Sequence, residues 1–259
     1  MRIDSRGNVL KMAVAAIAGV LLAACGFGGV EGKSEWTKTY PFAEGGTLEI
    51  SSTNGEVDVT PSDGPTVTVV AEKIAHAATE AAAKEAAAAI QIKESVSSTR
   101  ISLDARMESS FSTGSREVRF HIKAPAGTAL TINTTNGEIS LHNIKGDLHI
   151  ETTNGEIKGD GLAGSTSIET TNGEIALDFS AMPSHGITCS TTNGEISVTI
   201  PKDSNARISA EVTNGEISTE NLALHDKKDS RKSLDAVLNA GGPEIKIETT
   251  NGEIKIRGR

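Results

Sequence analysis

The chain lacks most of what an ordinary enzyme core is made from. Only 3% of its 259 residues are aromatic: one Trp, one Tyr and five Phe. That is too few for a conventional globular core of this size, and too few for the aromatic-lined cleft in which a sugar-cleaving enzyme holds its substrate. Lys and Arg number 25 against 34 Asp and Glu, for a net charge of −9 and a pI near 5.2. Without a basic patch, nucleic acid is excluded as a partner. No apolar run reaches the ~20 residues that a helix needs to cross a bilayer. The sequence also lacks H-E-x-x-H, G-x-S-x-G, a phosphate-binding Gly loop and the calcium-binding G-G-x-G-x-D of other β-rolls. No catalytic residue and no cofactor is therefore expected.

The N-terminus carries an export signal. Arg2, Arg6 and Lys11 precede the apolar run Met12 to Ala24, and the run ends in Leu22-Ala23-Ala24-Cys25-Gly26. Thirteen apolar residues suit the central region of a signal peptide. The ending resembles the bacterial lipobox, which implies cleavage before Cys25 and lipidation of its thiol. Small residues before the cut let the chain lie extended in a protease cleft, and the nucleophilic thiol explains why Cys is required. Gly26, in place of Asp, favours the outer membrane. Removing residues 1–24 takes Arg2, Arg6, Lys11 and Asp4 with it and leaves 22 basic against 33 acidic side chains, a net of −11. Residues 25–36 are expected to be the lipidated Cys and its tether, with Gly26 to Ser34 a flexible linker. Cys189, the other cysteine, alternates with apolar neighbours and is expected to be a small buried hydrophobe.

What the chain does have is a repeated phrase. Thr-Asn-Gly-Glu occurs seven times, at Asn54, Asn136, Asn154, Asn172, Asn193, Asn214 and Asn251, each time followed by Ile or Val. The spacings are 82, 18, 18, 21, 21 and 37. A period near twenty marks a solenoid or repeat array. Before the Asn, apolar residues keep one parity: Leu130, Ile132 and Thr134, then Leu148, Ile150 and Thr152, then Ile168 and Thr170. Val212 fills the same slot as these Thr, which marks the slot as inward-facing. After the Gly the apolar set jumps by one residue, to Ile139 and Leu141, Ile157, Ile175 and Leu177, Ile196 and Val198, so the chain turns a corner there with its apolar face kept inside. Asn-Gly is also a strong hairpin signal, but a meander of hairpins gives no reason for four identical residues at one phase. A parallel solenoid does, because stacked coils about 4.8 Å apart turn identical residues into ladders. The Asn side chains are expected to bond from coil to coil, and the Gly to supply a left-handed φ at the corner.

Between the first copy and the array, Ala75 to Ala89 contains ten Ala and a Glu80–Lys84 pair and is expected to be a helix covering one end or flank. Ile90 to Asp104 and Glu117 to Lys123 alternate as strands, with a polar loop from Arg106 to Ser115 between them. Regular coils are expected from about 128 to 219, in chain order. A charged excursion follows over about 225–242, with a helical Ser233 to Asn239, and then a last coil from Ile245 to Ile256.

Tyr40-Pro41-Phe42, Gly45-Gly46-Thr47-Leu48-Glu49-Ile50, the repeated Thr-Thr-Asn-Gly-Glu-Ile and the closing Gly241-Gly242-Pro243 together resemble the β-strand-repeat ("toast-rack") family of bacterial adhesin-like proteins, whose function is unknown. The resemblance spans nearly all of residues 37–259. It implies an all-β, single-stranded, right-handed parallel β-solenoid (β-helix), and it carries no catalytic residues.

Stacked in consecutive coils, Glu138, Glu156, Glu174, Glu195 and Glu216 form an acidic column. Like charges ~5 Å apart in water repel by about 1 kcal/mol per pair before screening. The expectation is that these side chains splay into solvent; the sharper alternative is that they collect divalent cations or dock a basic partner. Outward Thr135, Thr153, Thr171, Thr192 and Thr213 line the same corner, and His142 and His149 are expected to lie apart on the surface. The expected protein is a lipid-anchored, outer-membrane member of the cell envelope. Its non-catalytic solenoid would offer an adhesion, binding or scaffold surface to a protein or an envelope polymer. A second reading is a periplasmic envelope-stress or regulatory component that senses a protein partner, and a third is a carbohydrate-active β-helix enzyme.

Overall fold

Period-two alternation governs the chain from Val30 onward, and each run of it becomes a strand. A computed structural model describes residues 29–106 and 115–259. The strands are β1 (Val30–Pro41), β2 (Thr47–Ser52), β3 (Val57–Pro61), β4 (Thr66–Ala77), β5 (Lys93–Val96), β6 (Arg100–Ala105), β7 (Arg116–Ala124), β8 (Ala129–Asn136), β9 (Ile139–His142), β10 (Leu148–Asn154) and β11 (Ile157–Leu162). They continue as β12 (Thr166–Asn172), β13 (Ile175–Phe179), β14 (Ile187–Asn193), β15 (Ile196–Ile200), β16 (Ala206–Asn214), β17 (Ile217–Glu220), β18 (Leu224–Asp229), β19 (Ser233–Leu238), β20 (Glu244–Asn251) and β21 (Ile254–Gly258). One helix, α1 (Glu80–Ala88), lies between β4 and β5.

Each repeat contributes one strand to each of two facing sheets, of ten and eleven strands, and turns between them at Asn-Gly. Through the middle of the stack neighbours are parallel and in exact phase: Ile150 lies opposite Ile132 and Ile168, and Asn154 opposite Asn136 and Asn172. The inward Ile, Leu and Val of both sheets form one continuous core. The parity jump across Asn-Gly is the corner that carries the apolar face from one sheet to the other.

Coil order departs from chain order at both ends. Along the stack the strand pairs follow as β6–β7, β2–β3, β8–β9, β10–β11, β12–β13, β14–β15, β20–β21 and β16–β17. The last coil of the chain therefore slots between β14–β15 and β16–β17, and the first is covered by β6–β7. The expectation of consecutive coils in chain order is corrected accordingly. Antiparallel strands then finish three of the four sheet ends, while β17 at the fourth pairs in parallel with β21. β4 runs antiparallel to β7 and β1 to β4; β5 pairs antiparallel with β6; β19 pairs with β16, and β18 with β19. An open parallel edge would be a template for aggregation. Here the outermost strand at one end is β18, whose sequence LHDKKD is almost wholly exposed.

Several local expectations change. Residues 30–36, read as part of a tether, belong to β1, whose full length pairs with β4. The reason is Gly32: a Cβ there would lie 2.3 Å from the Ala83 carbonyl carbon, so the helix sits directly on the strand. The helix itself runs 80–88 rather than 75–89, because Ala75 and Ala77 still belong to β4. It starts where Thr79 Oγ1 accepts the Ala82 N–H (3.3 Å) and buries Ala83 and Ala87, the alanine face that the sequence offers. Lys73, buried and with its pKa pushed down by desolvation, donates to the carbonyls of Ala88 and Ile90 at the helix C-terminus. Within Ile90 to Asp104 the strands are β5 and β6, paired antiparallel as a hairpin. Ser233 to Asn239 is strand β19 and not helix; Leu234, Ala236 and Leu238 point inward at period two. The loop expected from Arg106 to Ser115 lies mostly outside the described residues.

Candidate functional site

The Thr-Asn-Gly-Glu corners stack into one ridge along the molecule. Its spine is a chain of side-chain amides. Asn136 Nδ2 donates to Asn54 Oδ1 (2.7 Å), Asn154 to Asn136 (2.8 Å), Asn172 to Asn154 (2.9 Å) and Asn193 to Asn172 (2.8 Å). Asn251 then donates to Asn193 (2.8 Å) and Asn214 to Asn251 (2.8 Å). All six bonds point the same way, so their dipoles align and reinforce one another. At the far end Asn54 Nδ2 donates to the Arg116 carbonyl (3.2 Å), in the coil that has no Asn. All seven predicted ladder residues are thus brought together.

The Gly column explains why the phrase tolerates no other residue. A Cβ at Gly137 would meet the Gly55 carbonyl oxygen at 1.9 Å, one at Gly155 the Gly137 oxygen at 1.9 Å, and one at Gly173 the Gly155 oxygen at 1.9 Å. Close approach of backbone to backbone, repeated coil after coil, is what demands glycine here. The expected positive φ is present at five of the seven corners, 125° at Gly55, 157° at Gly137 and Gly194, 152° at Gly215 and 156° at Gly252, all well beyond the ~57° of a left-handed helix.

Immediately inward, Thr134, Thr152, Thr170, Thr191 and Thr249 are buried together with Val212, as Val212 implied. The hydroxyls of Thr191 and Thr249 reach the carbonyls of Gly173 (3.4 Å) and Gly194 (3.2 Å), whereas those of Thr134, Thr152 and Thr170 have no hydrogen-bond partner. An unsatisfied buried hydroxyl costs ~1–3 kcal/mol. Thr170→Val is therefore expected to raise stability by about 1 kcal/mol, and Thr249→Val, which forfeits a bond, by less; chemical denaturation of the two variants checks the contrast.

Outward of the spine, Thr135, Thr153, Thr171, Thr192, Thr250 and Thr213 are exposed in a row. The Glu residues form the other flank, in the order Glu56, Glu138, Glu156, Glu174, Glu195, Glu253, Glu216 that the strand order imposes. Glu195 and Glu216, expected to be neighbours in consecutive coils, instead flank Glu253. Two lysines break up the repulsion: Lys158 bridges Glu138 (3.2 Å) and Glu156 (2.7 Å), and Lys255 bridges Glu195 (2.7 Å) and Glu253 (3.1 Å). Hydrogen bonds donated to Glu156 and Glu138 hold the Lys158 ammonium above its ordinary pKa, and those donated to Glu195 and Glu253 do the same for Lys255. The signal was present in the sequence, since Glu-x-Lys on a strand puts both charges on one face. Among the described residues, no group of three or more His, Cys, Asp or Glu side chains is placed to hold a metal ion. Shallow polar depressions flank the Thr row, one lined by Ser190, Glu211, Thr213, Lys232 and Glu248, another by Arg106, Asn133, Thr135, Glu151 and Glu169.

Cys25 lies outside the described residues. Cys189 is fully buried, and desolvation pushes its thiol up to about 12. It is expected to resist alkylation in the native body and to react only after denaturation, which mass spectrometry before and after adding urea would read. His142 and His149 are not neighbours: His149 pairs with Glu151 (3.3 Å) on the eleven-stranded sheet, and His142 lies on the other sheet.

Two facing sheets, a coil turned at every Asn-Gly and a ladder at the corner define the class: a β-solenoid of toast-rack architecture, parallel through its middle and finished by antiparallel strands at three of its four sheet ends. The chain belongs to the Toastrack DUF4097 family, whose model matches residues 37–257. No curated protein matches it. Among solved structures it is similar to one from Clostridium sporogenes, provisionally named a cell adhesion protein, at 15% identity and a TM-score of 0.53, over 88% of this chain and 100% of that one. Another, from Bacteroides fragilis and provisionally named an adhesin, shares 10% identity at a TM-score of 0.41, over 87% of this chain and 97% of that one. The first likeness shows the fold; it names no ligand for this chain.

Proposed function

We propose that the protein is a lipid-anchored component of the bacterial cell envelope, held at the outer membrane through Cys25, whose ridge is a non-catalytic docking strip. The observation that carries the reading is the repetition itself. Thr, Asn and Glu recur once per coil on seven successive coils, about 29 Å of ridge at ~4.8 Å per step. A strip of that kind offers the same hydroxyl and carboxylate at every step. It suits a linear partner lying along the stack, either an extended protein segment or an envelope polymer, with hydrogen-bonding groups and positive charge at a matching interval. The polar, open depressions beside the Thr row support binding along a surface over turnover in a cleft.

The anchor constrains the geometry. β1 begins at Val30, so four residues of chain separate it from Cys25, and the five steps between them, at ~3.3–3.6 Å each, reach no more than about 18 Å. The folded body then sits against the bilayer rather than at the end of a long leash.

The test is affinity capture from envelope extracts with the wild-type chain and with a variant carrying Glu156→Gln, Glu174→Gln and Glu195→Gln. The reading expects a specific partner that the variant loses while keeping its melting transition. Equal capture by both would remove the ridge from the account. Metabolic labelling with palmitate, compared with Cys25→Ala, tests the anchor separately; an unlabelled wild type would rule it out.

A further inference from the structure

The seven corners are alike in sequence but not in their hydrogen bonds. Asn-Gly is a dipeptide whose backbone can close on its own side chain: with no Cβ on the second residue, the glycine nitrogen reaches the asparagine Cγ. In six corners both reacting groups are held. The N–H groups of Gly55, Gly137, Gly155, Gly173, Gly194 and Gly252 donate to the carbonyls of Asn136, Asn154, Asn172, Asn193, Asn251 and Asn214, at 2.9–3.0 Å. In the same six corners the Asn Oδ1 accepts the side-chain amide of the next ladder residue.

Asn214-Gly215 is the exception, and strand order is the reason. β17 is the last strand of the ten-stranded sheet and pairs only with β21. No further coil lies beyond this corner to accept the Gly215 N–H or to donate to Asn214 Oδ1. The antiparallel cap does not substitute. The β16–β19 pairing ends at Glu211–Ser233. Beyond it, the Lys232 carbonyl accepts from Val212 N–H (2.9 Å) and the Arg231 carbonyl from Ile217 N–H (3.2 Å). Gly215 lies between those two bonds and shares in neither. Among the described residues, its N–H and Asn214 Oδ1 have no hydrogen-bond partner. Of the seven corner glycines only Gly215 is exposed; the others are buried or half-buried.

We propose that Asn214 is a site of spontaneous modification in the folded protein. It closes with Gly215 to a succinimide and hydrolyses to aspartate and isoaspartate, while the other six corners stay intact. The step needs only water. A base in solution takes the Gly215 amide proton, and the nitrogen bonds to Asn214 Cγ. The Cγ–Nδ2 bond breaks, and the side-chain nitrogen leaves as ammonia with protons returned from solvent. Water then opens the ring at either carbonyl, so water is consumed, ammonia is released and nothing is oxidised. At the other corners the same step must first break the bond that holds the Gly proton and the amide bonds on both sides of the Asn.

The product alters the end of the ridge. Aspartate can only accept, so the bond that Asn214 Nδ2 gives to Asn251 Oδ1 (2.8 Å) is lost. A new carboxylate joins the end of the Glu column. Isoaspartate also inserts a methylene into the main chain between β16 and β17, which puts β17 out of phase with β21. The inference rests on the geometry of the corner and not on what the ridge binds.

The experiment is prolonged incubation of the full chain in detergent, at mildly alkaline pH in heavy-oxygen water, followed by digestion and peptide mass spectrometry. Label in the new carboxyl group marks conversion during the incubation, and electron-transfer fragmentation tells isoaspartate from aspartate. The expected result is conversion at Asn214 about tenfold or more faster than at any other corner. The chain unfolded in guanidinium is the reference: the seven corners share one local sequence and should there convert at similar rates. Equal conversion of all seven in the folded chain, or faster conversion at another corner, overturns the proposal. So does an Asn214 that survives in the folded chain while the unfolded chain is consumed. Faster conversion of Asn214 in the unfolded chain as well would assign the difference to sequence, and would overturn it too.

Discussion

Gly173→Ala unfolds the body or nearly so. The added methyl would sit 1.9 Å from the carbonyl oxygen of Gly155 and 2.7 Å from its carbon, both backbone atoms of the next coil. Neither can swing away as a side chain would. Relief requires coils on both sides to separate, and that separation breaks the Asn172–Asn154 amide bond and the parallel register beside it. Overpacking usually costs about 1–3 kcal/mol, and a clash with fixed backbone belongs at or beyond the top of that range. Gly127→Ala is the control: a Cβ there meets nothing within 4 Å and its φ is unexceptional, so its melting point should stay within a degree or two or rise slightly. Thermal melts of the two variants side by side measure the difference.

The second large effect is that of removing residues 244–259. In a solenoid whose coils follow chain order, trimming the last coil subtracts one repeat and leaves a shorter cooperative body. Here β20 and β21 lie inside the stack, between β14–β15 and β16–β17. Their loss takes away Ile245, Ile247, Ile254 and Ile256, all fully buried. At ~1.5–3 kcal/mol for each side chain, that is about 6–12 kcal/mol, comparable to the whole stability of a typical domain. It also strands β16 and the β18–β19 hairpin with no parallel neighbour. The truncated chain should give no cooperative transition by circular dichroism; a sharp melt with β-sheet content reduced in proportion would show that the end coil is expendable.

What could be read from the sequence was whatever repeats within one coil. Parity on either side of Asn-Gly, with Val212 in the slot of its Thr counterparts, was enough to locate the corner, the inward face and the Asn ladder. Coil order was not legible. Asn193, Asn214 and Asn251 sit in near-identical contexts, and nothing local says which two are neighbours. The choice is made by long-range pairing: β19 folds back antiparallel on β16, and together with β18 it closes that end of the sheet with charge. The helix was legible from its alanines but its start was not, since Ala75 and Ala77 serve equally well on β4. The ridge was legible as columns, but Lys158 and Lys255, which neutralise part of it, were found only in the structure.

The central claim is that the repeated phrase stacks the coils in the order 54, 136, 154, 172, 193, 251, 214. Thr192 and Thr250 are then adjacent outward residues on paired parallel strands, between the partners Thr191–Thr249 and Asn193–Asn251. Thr192 and Thr213 are separated by a whole coil. Cysteines at adjacent positions lie within the ~4.4–6.8 Å Cα separation that a disulfide spans, and cysteines two coils apart do not. Cys189, buried and protonated, stays silent in the measurement. Under mild oxidation the Thr192→Cys, Thr250→Cys double variant should cross-link quantitatively in the folded body, and the Thr192→Cys, Thr213→Cys variant should not. Cross-linking of the second pair in place of the first would contradict the account.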